Sequence, residues 1–143
     1  MANNIVVANE GKLVLLAQAL KGGSAENYVL DLYSNNYTPV AGMVAANFTI
    51  ATYPGYAQKS LAAANWGTPA IVSGKGESVH SGDPWSFVRN SSSCASETLY
   101  GWVIRGATSN KVYFAALFVT PRTMAVLNDE IDVSIPIDDD TLA

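Results

Sequence analysis

Thr98-Leu99-Tyr100-Gly101-Trp102-Val103-Ile104, then Gly106-Ala107-Thr108-Ser109-Asn110, then Val112-Tyr113-Phe114-Ala115-Ala116-Leu117-Phe118 is the stretch that decides the fold. Both outer runs are rich in aromatic and β-branched residues and apolar on both faces, the pattern of strands covered from two sides. The Gly, Ser and Asn between them supply turn chemistry, so the whole reads as one central hairpin. Thr120-Pro121-Arg122 is expected to end the second strand, because proline has no N–H to give to a sheet ladder.

Towards the C-terminus, Ile131, Val133, Ile135 and Ile137 alternate with Asp132, Ser134, Pro136 and Asp138. Strict alternation predicts a strand with one buried and one wet face, and Pro136 favours a sheet edge. Asn128-Asp129-Glu130 reads as the turn before it. Upstream, Trp85-Ser86-Phe87-Val88 is a strand with Trp85 and Phe87 on one face, and Gly67 to Asp83 reads as hairpin and loop around the short apolar piece Ala70-Ile71-Val72. Tyr28-Val29-Leu30-Asp31-Leu32-Tyr33 alternates with Tyr28, Leu30 and Leu32 together, followed by turn residues up to Pro39. Phe48-Thr49-Ile50 and a stretch from Lys59 to Trp66 are weaker strand candidates.

One helix is expected, over residues 9–21. Leu13, Leu16, Ala17 and Leu20 follow the spacing of a single helical face, which is expected to cover part of the core. Asn9 is the candidate N-cap, Glu10 and Lys21 suit the two ends of the helix dipole, and Gly22-Gly23 stops it. The expected architecture is mainly β, an antiparallel β-sandwich or partly closed barrel with this one short N-terminal helix. A single domain over residues 1–143 is expected, with a β-rich part over 25–137 and an acidic tail over 138–143.

Composition narrows the function. With 49% hydrophobic and only 14% charged residues, the chain can bury a substantial core, and its surface is cheap to desolvate in an assembly. Of the net charge of −4, three units sit in Asp138, Asp139 and Asp140, so the rest of the chain is almost neutral. Eight scattered Lys and Arg make no basic face, so no nucleic-acid partner is expected. No apolar run approaches the ~20 residues of a membrane helix. Met1-Ala2-Asn3-Asn4 lacks the basic start of a secretory signal, so no membrane partner is expected and the chain is placed in the cytoplasm during its assembly.

No catalytic, cofactor-binding or metal-binding residue is predicted, and no cofactor. One His and one Cys exclude zinc sites of the usual Cys/His types. His80-Ser81-Gly82-Asp83 contains the residue types of a triad, but crowded into one polar turn. Gly74-Lys75-Gly76-Glu77-Ser78 lacks the first glycine and the following helix of a phosphate loop. Adjacent aspartates in an extended tail point to opposite sides and converge poorly on a cation. Cys94 lies in a polar loop without nearby partners. Tyr37, Tyr53 and Tyr56 fall in turn-rich segments and are expected to be exposed, which suits glycan stacking or an oligomer contact.

Several segments in order carry a resemblance: Asn9-Glu10-Gly11 before the Leu-rich helix, residues 27–39, Phe48-Thr49, Tyr53-Pro54-Gly55-Tyr56, Leu99-Tyr100-Gly101-Trp102, and residues 128–133. The chain resembles small structural proteins encoded near the head genes of tailed bacteriophages. The resemblance implies a non-enzymatic virion component, a capsid decoration or cement protein bridging neighbouring major capsid protein subunits as a homo-oligomer (trimer or dimer). Ile5-Val6-Val7 and the C-terminal strand are the candidate intersubunit contacts. The alternative is a tail or fibre module that grips host glycans through the loop tyrosines.

Overall fold

A computed structural model describes residues 5–135, 137 and 138. The elements run β1 (Val6–Val7), α1 (Asn9–Lys21), β2 (Tyr28–Tyr33), β3 (Lys59–Leu61), β4 (Ala70–Val72), β5 (Lys75–Ser78), β6 (Trp85–Val88), β7 (Glu97–Gly106), β8 (Val112–Met124), β9 (Glu130–Val133) and β10 (Ile137–Asp138). The fold is mainly β with one helix, and the strand pairs are antiparallel.

The β7–β8 hairpin is the centre of a five-stranded sheet ordered β1-β8-β7-β2-β3. Leu30, Leu32, Trp102 and Ile104 bring their side chains to one cluster with Trp85 and Phe87 of β6 and Ile131 and Val133 of β9. The β6–β9 ribbon therefore lies over one face of the sheet, and its alternation is as the sequence predicts: Glu130 and Asp132 out, Ile131 and Val133 in. The other face holds Tyr33, Val103, Val112 and Ala115 against Ala8, Met43 and Phe48. Each fully buried leucine or phenylalanine contributes about 2 kcal/mol, so two occupied faces account for the doubly apolar pattern of β7 and β8. A third small sheet, β10-β5-β4, stands apart. The expected last strand is two strands in two sheets, β9 paired with β6 and β10 with β5, and β1 pairs with β8, so each of these candidate contact segments has a ladder within its own chain. Pro136, the side chains of Ile137 and Asp138, and the tail from Asp139 lie outside the described residues.

Several expectations about elements change. The N-cap is Ala8, not Asn9, and no side chain caps the helix. Here the chain enters the helix directly from the sheet: Ala8 N–H donates to the Tyr113 carbonyl of β8 at 2.9 Å and Asn9 N–H to the carbonyl of Ala41, in a turn, at 2.8 Å, so a strand and a turn take the place of a cap. The helix also packs in the opposite phase. Leu13, Leu16 and Leu20 are 69, 56 and 76% exposed, while Gly11 is buried and Val14, Leu15 and Gln18 are half-buried. A Cβ on Gly11 would lie 2.7 Å from Tyr113 Cα, so the missing side chain lets the helix rest directly on β8. Gly11, Val14, Leu15 and Gln18 keep the same spacing as the leucine stripe, and close approach rather than hydrophobicity selects between the two faces.

Thr120-Pro121-Arg122 does not end β8. The ladder slips between Leu99, opposite Arg122, and Gly101, opposite Leu117, so residues 118–121 face Tyr100 alone before pairing resumes out to Met124. Pro121 sits in that bulge, where its missing donor costs little. Finally, two weak strand candidates shrink. Residues 45–47 form a 3-10 turn and only Ile50 bridges to Tyr33, because the Asn35 side chain takes the local backbone, accepting from Thr49 N–H and donating to the Asn47 carbonyl, both at 2.8 Å. The strand from Lys59 stops at Leu61 and turns into a 3-10 turn at residues 63–65, where the alanines favour no strand.

Candidate functional site

The polar interior was the part least readable from sequence, and it contains three constellations. Asp31, on β2, is 1% exposed and forms an ion pair with Arg105 of β7. Tyr56 completes the group: its hydroxyl donates to Asp31 Oδ1 at 2.7 Å and accepts from Leu32 N–H at 3.1 Å. Burial, followed by the Asp31 charge, pushes the Tyr56 hydroxyl far above its ordinary pKa, so it remains a proton donor. Arg105 also donates to Asn110 Oδ1 at 2.5 Å, so the group links β2, β7, the Tyr56 loop and the turn after β7.

Arg89 is the second. It follows Trp85 and Phe87 at the two-residue spacing of an inward face, and it is fully buried. Its guanidinium donates to the carbonyls of Ser91, Cys94 (2.7 Å), Ala95 and Met124 (2.9 Å). That gathers the polar loop after β6 onto the end of β8, and Cys94 is exposed on this loop. Nearby, the Asp129 carboxylate accepts from Val126 and Ala125 N–H, which holds its pKa below the ordinary value.

The third is His80, 3% exposed, with its ring 5.1 Å from Trp66 and 5.3 Å from Trp85. Burial lowers its pKa, against the opposing pull of the Ala62 backbone and Asp83. His80-Ser81-Gly82-Asp83 is the turn the sequence predicts, closed by Asp83 N–H donating to the His80 carbonyl at 3.1 Å, with Ser81 and Gly82 exposed and only the His80 ring buried. The histidine points into an aromatic pocket, while Asp83 accepts from Ser134 Oγ at 2.8 Å and Ile135 N–H at 3.1 Å in another direction. Gly74 and Ser73 adopt positive φ in the tight β4–β5 turn, which is why that segment resembles a glycine loop. Among the described residues, no group of three or more His, Cys, Asp or Glu stands together.

The loop tyrosines are packed, not displayed. Tyr53 is buried and stands edge-on to Tyr56 at 5.4 Å; Tyr56 stacks on Phe87; and Tyr37 meets Phe48 at 5.1 Å. Burial pushes the Tyr53 hydroxyl up to about 12. Turn-rich sequence placed these rings in loops correctly, but the loops fold back over the sheet and use the rings to seal its faces.

What the surface displays instead is aliphatic. Besides the leucines of α1, Ile71 on the edge strand β4 is 77% exposed, and Val119 stands out at the β8 bulge. The cavity beside that bulge, about 160 Å³ between Phe118, Val119, Thr120, Arg122, Ile131 and Asp132, falls short of the ~300 Å³ lower end of ordinary ligand sites. No helix among the described residues is long and apolar enough to cross a membrane. The sequence matches no protein-family model and no curated protein.

Proposed function

We propose that the protein is a non-enzymatic structural component of a tailed-phage virion, a capsid decoration protein that binds neighbouring major capsid subunits and holds them together. The virion part of this reading comes from the resemblance of the ordered segments between Asn9 and Val133. The assembly part is carried by one observation: large apolar side chains are displayed on separate elements, at Leu13, Leu16 and Leu20 of α1, Ile71 of β4 and Val119 of β8. Apolar surface dispersed in this way suits a subunit covered by several neighbours, since each exposed leucine or isoleucine gains about 2 kcal/mol when a neighbour buries it. The polar groups, by contrast, are spent on bracing: Arg89 on a loop, and Asp31 with Arg105 on the sheet.

Imaging of the virion tests the placement. Regular density of this shape between capsid subunits is expected, and density confined to the tail overturns the capsid assignment. A phage deleted for the gene is expected to lose head stability to heat or low salt, restored by adding the purified protein; heads of unchanged stability count against the bridging role.

A further inference from the structure

We infer that α1 is a self-association surface, pairing antiparallel with α1 of a second copy of this chain about a two-fold axis between residues 16 and 17. The exposed stripe comprises Leu13, Leu16, Ala17 and Leu20, opposite the Gly11–Gln18 face that rests on β8. Read in reverse it superimposes on itself: Leu13 falls opposite Leu20 and Leu16 opposite Ala17. That self-complementarity is what an isologous contact requires. The stripe is also hollow in the middle. Leu13, Leu16, Ala17 and Leu20, with Lys21 at the rim, enclose an apolar depression of about 220 Å³. Four residues at this spacing form the hole that receives one knob of a facing helix, and the small Ala17 gives it depth.

Charge selects the antiparallel sense. At about 100° per residue, Glu10 and Lys21 lie on the same flank of the stripe, at opposite ends of α1. Antiparallel pairing sets flank against like flank, so each Lys21 comes beside Glu10 of the partner subunit, about 3 Å apart along the axis. Glu10 Oε1 is turned to β8, where it accepts from the Val112 N–H at 2.7 Å, so the contact with Lys21 falls to its other carboxylate oxygen. The helix dipoles oppose each other in the same arrangement. A parallel pair would instead align the dipoles and set unlike flanks together, so that Lys21 and Glu10 would not meet across it. This contact depends only on the helix and stands apart from the virion reading.

A helix pair of three turns buries less than the ~800 Å² per partner of a standard stable interface. The dimer is therefore weak in free solution, with a dissociation constant on the order of 100 μM. Sedimentation equilibrium of the purified full chain over a concentration series tests it. A monomer–dimer equilibrium is expected, and Leu16→Glu should weaken it at least about tenfold; Leu16 is exposed, so an unchanged thermal midpoint confirms that this variant folds. Cysteine placement tests the geometry, in a Cys94→Ser background. Ala17→Cys lies next to the axis and should form an intersubunit disulfide on mild oxidation. Leu13→Cys should not, because its two copies are about 10 Å apart along the axis. A chain that remains monomeric throughout, a dimer unaffected by Leu16→Glu, or crosslinking at both positions, as in a parallel pair, each overturns the inference.

Discussion

Arg89 carries a charge into the interior and surrenders it to main-chain carbonyls. Replacing it by Met keeps the apolar stem and removes the donors, leaving the carbonyls of Ser91, Cys94, Ala95 and Met124 short of partners. Arg89→Met is expected to lower unfolding stability by about 3 kcal/mol in urea denaturation, with fast amide exchange confined at first to the loop after β6. Asp31 makes a different prediction. Asp31→Ala strands Arg105 and should cost about 3–5 kcal/mol, whereas Asp31→Leu combined with Arg105→Met should recover much of that loss. If the double variant is no better than the single one, the pair does not act as a unit. Part of this was legible: Trp85, Phe87 and Arg89 share the two-residue period, which already aims Arg89 inward. The partner of Asp31 was not, because Arg105 lies 74 residues away and meets it only through the β2–β7 register, which a single sequence does not contain.

Among the elements, the hairpin β7–β8 and the alternation of β9 were readable because their side chains record which faces are covered. Helix α1 was readable in its limits and not in its phase. Its ends follow from local chemistry: Gly22 takes the left-handed conformation, φ 65°, that stops it. Its phase depends on Gly11, whose lack of a side chain matters only once β8 lies beneath it. Gly11→Ala should therefore destabilise the protein by about 2 kcal/mol despite the better helix propensity of alanine, since the new Cβ meets backbone that cannot step aside. Leu16→Ser, on the stripe a hydrophobic pattern would bury, should change the stability of the monomer by no more than about 0.5 kcal/mol. Parallel melts of the two variants decide the phase; a large loss for Leu16→Ser alone would refute it. The bulge in β8 has the same character: Pro121 marks the irregularity, but that the strand recovers beyond it depends on the partner, Leu99 against Arg122.

For the molecule as a whole, His80 and Glu26 point to the same response, a loss of stability in acid. His80 is buried between two tryptophans, and its pKa lies below the ordinary 6.5. The unfolded chain therefore takes up this proton before the folded one does, and stability present at neutral pH declines as the pH falls below 6.5 towards the folded value. Glu26 acts lower on the scale. Burial raises its pKa, but the Ser109 hydroxyl and the amides of Ser109 and Thr108, with the Tyr113 hydroxyl, outweigh burial and hold it below the ordinary 4.5. Its contribution is complete above 4.5 and is lost as the pH falls from there through the folded value. These four donors tie the turn between β7 and β8 to the approach to β2, so the second step loosens the central hairpin itself. Urea midpoints followed downwards from neutral pH should thus fall in two stages. His80→Gln should flatten the first and leave the second, and Glu26→Gln the reverse. The slopes carry the test, because either substitution also shifts the overall level of stability, and a first stage equally steep with and without His80 would assign it to another group.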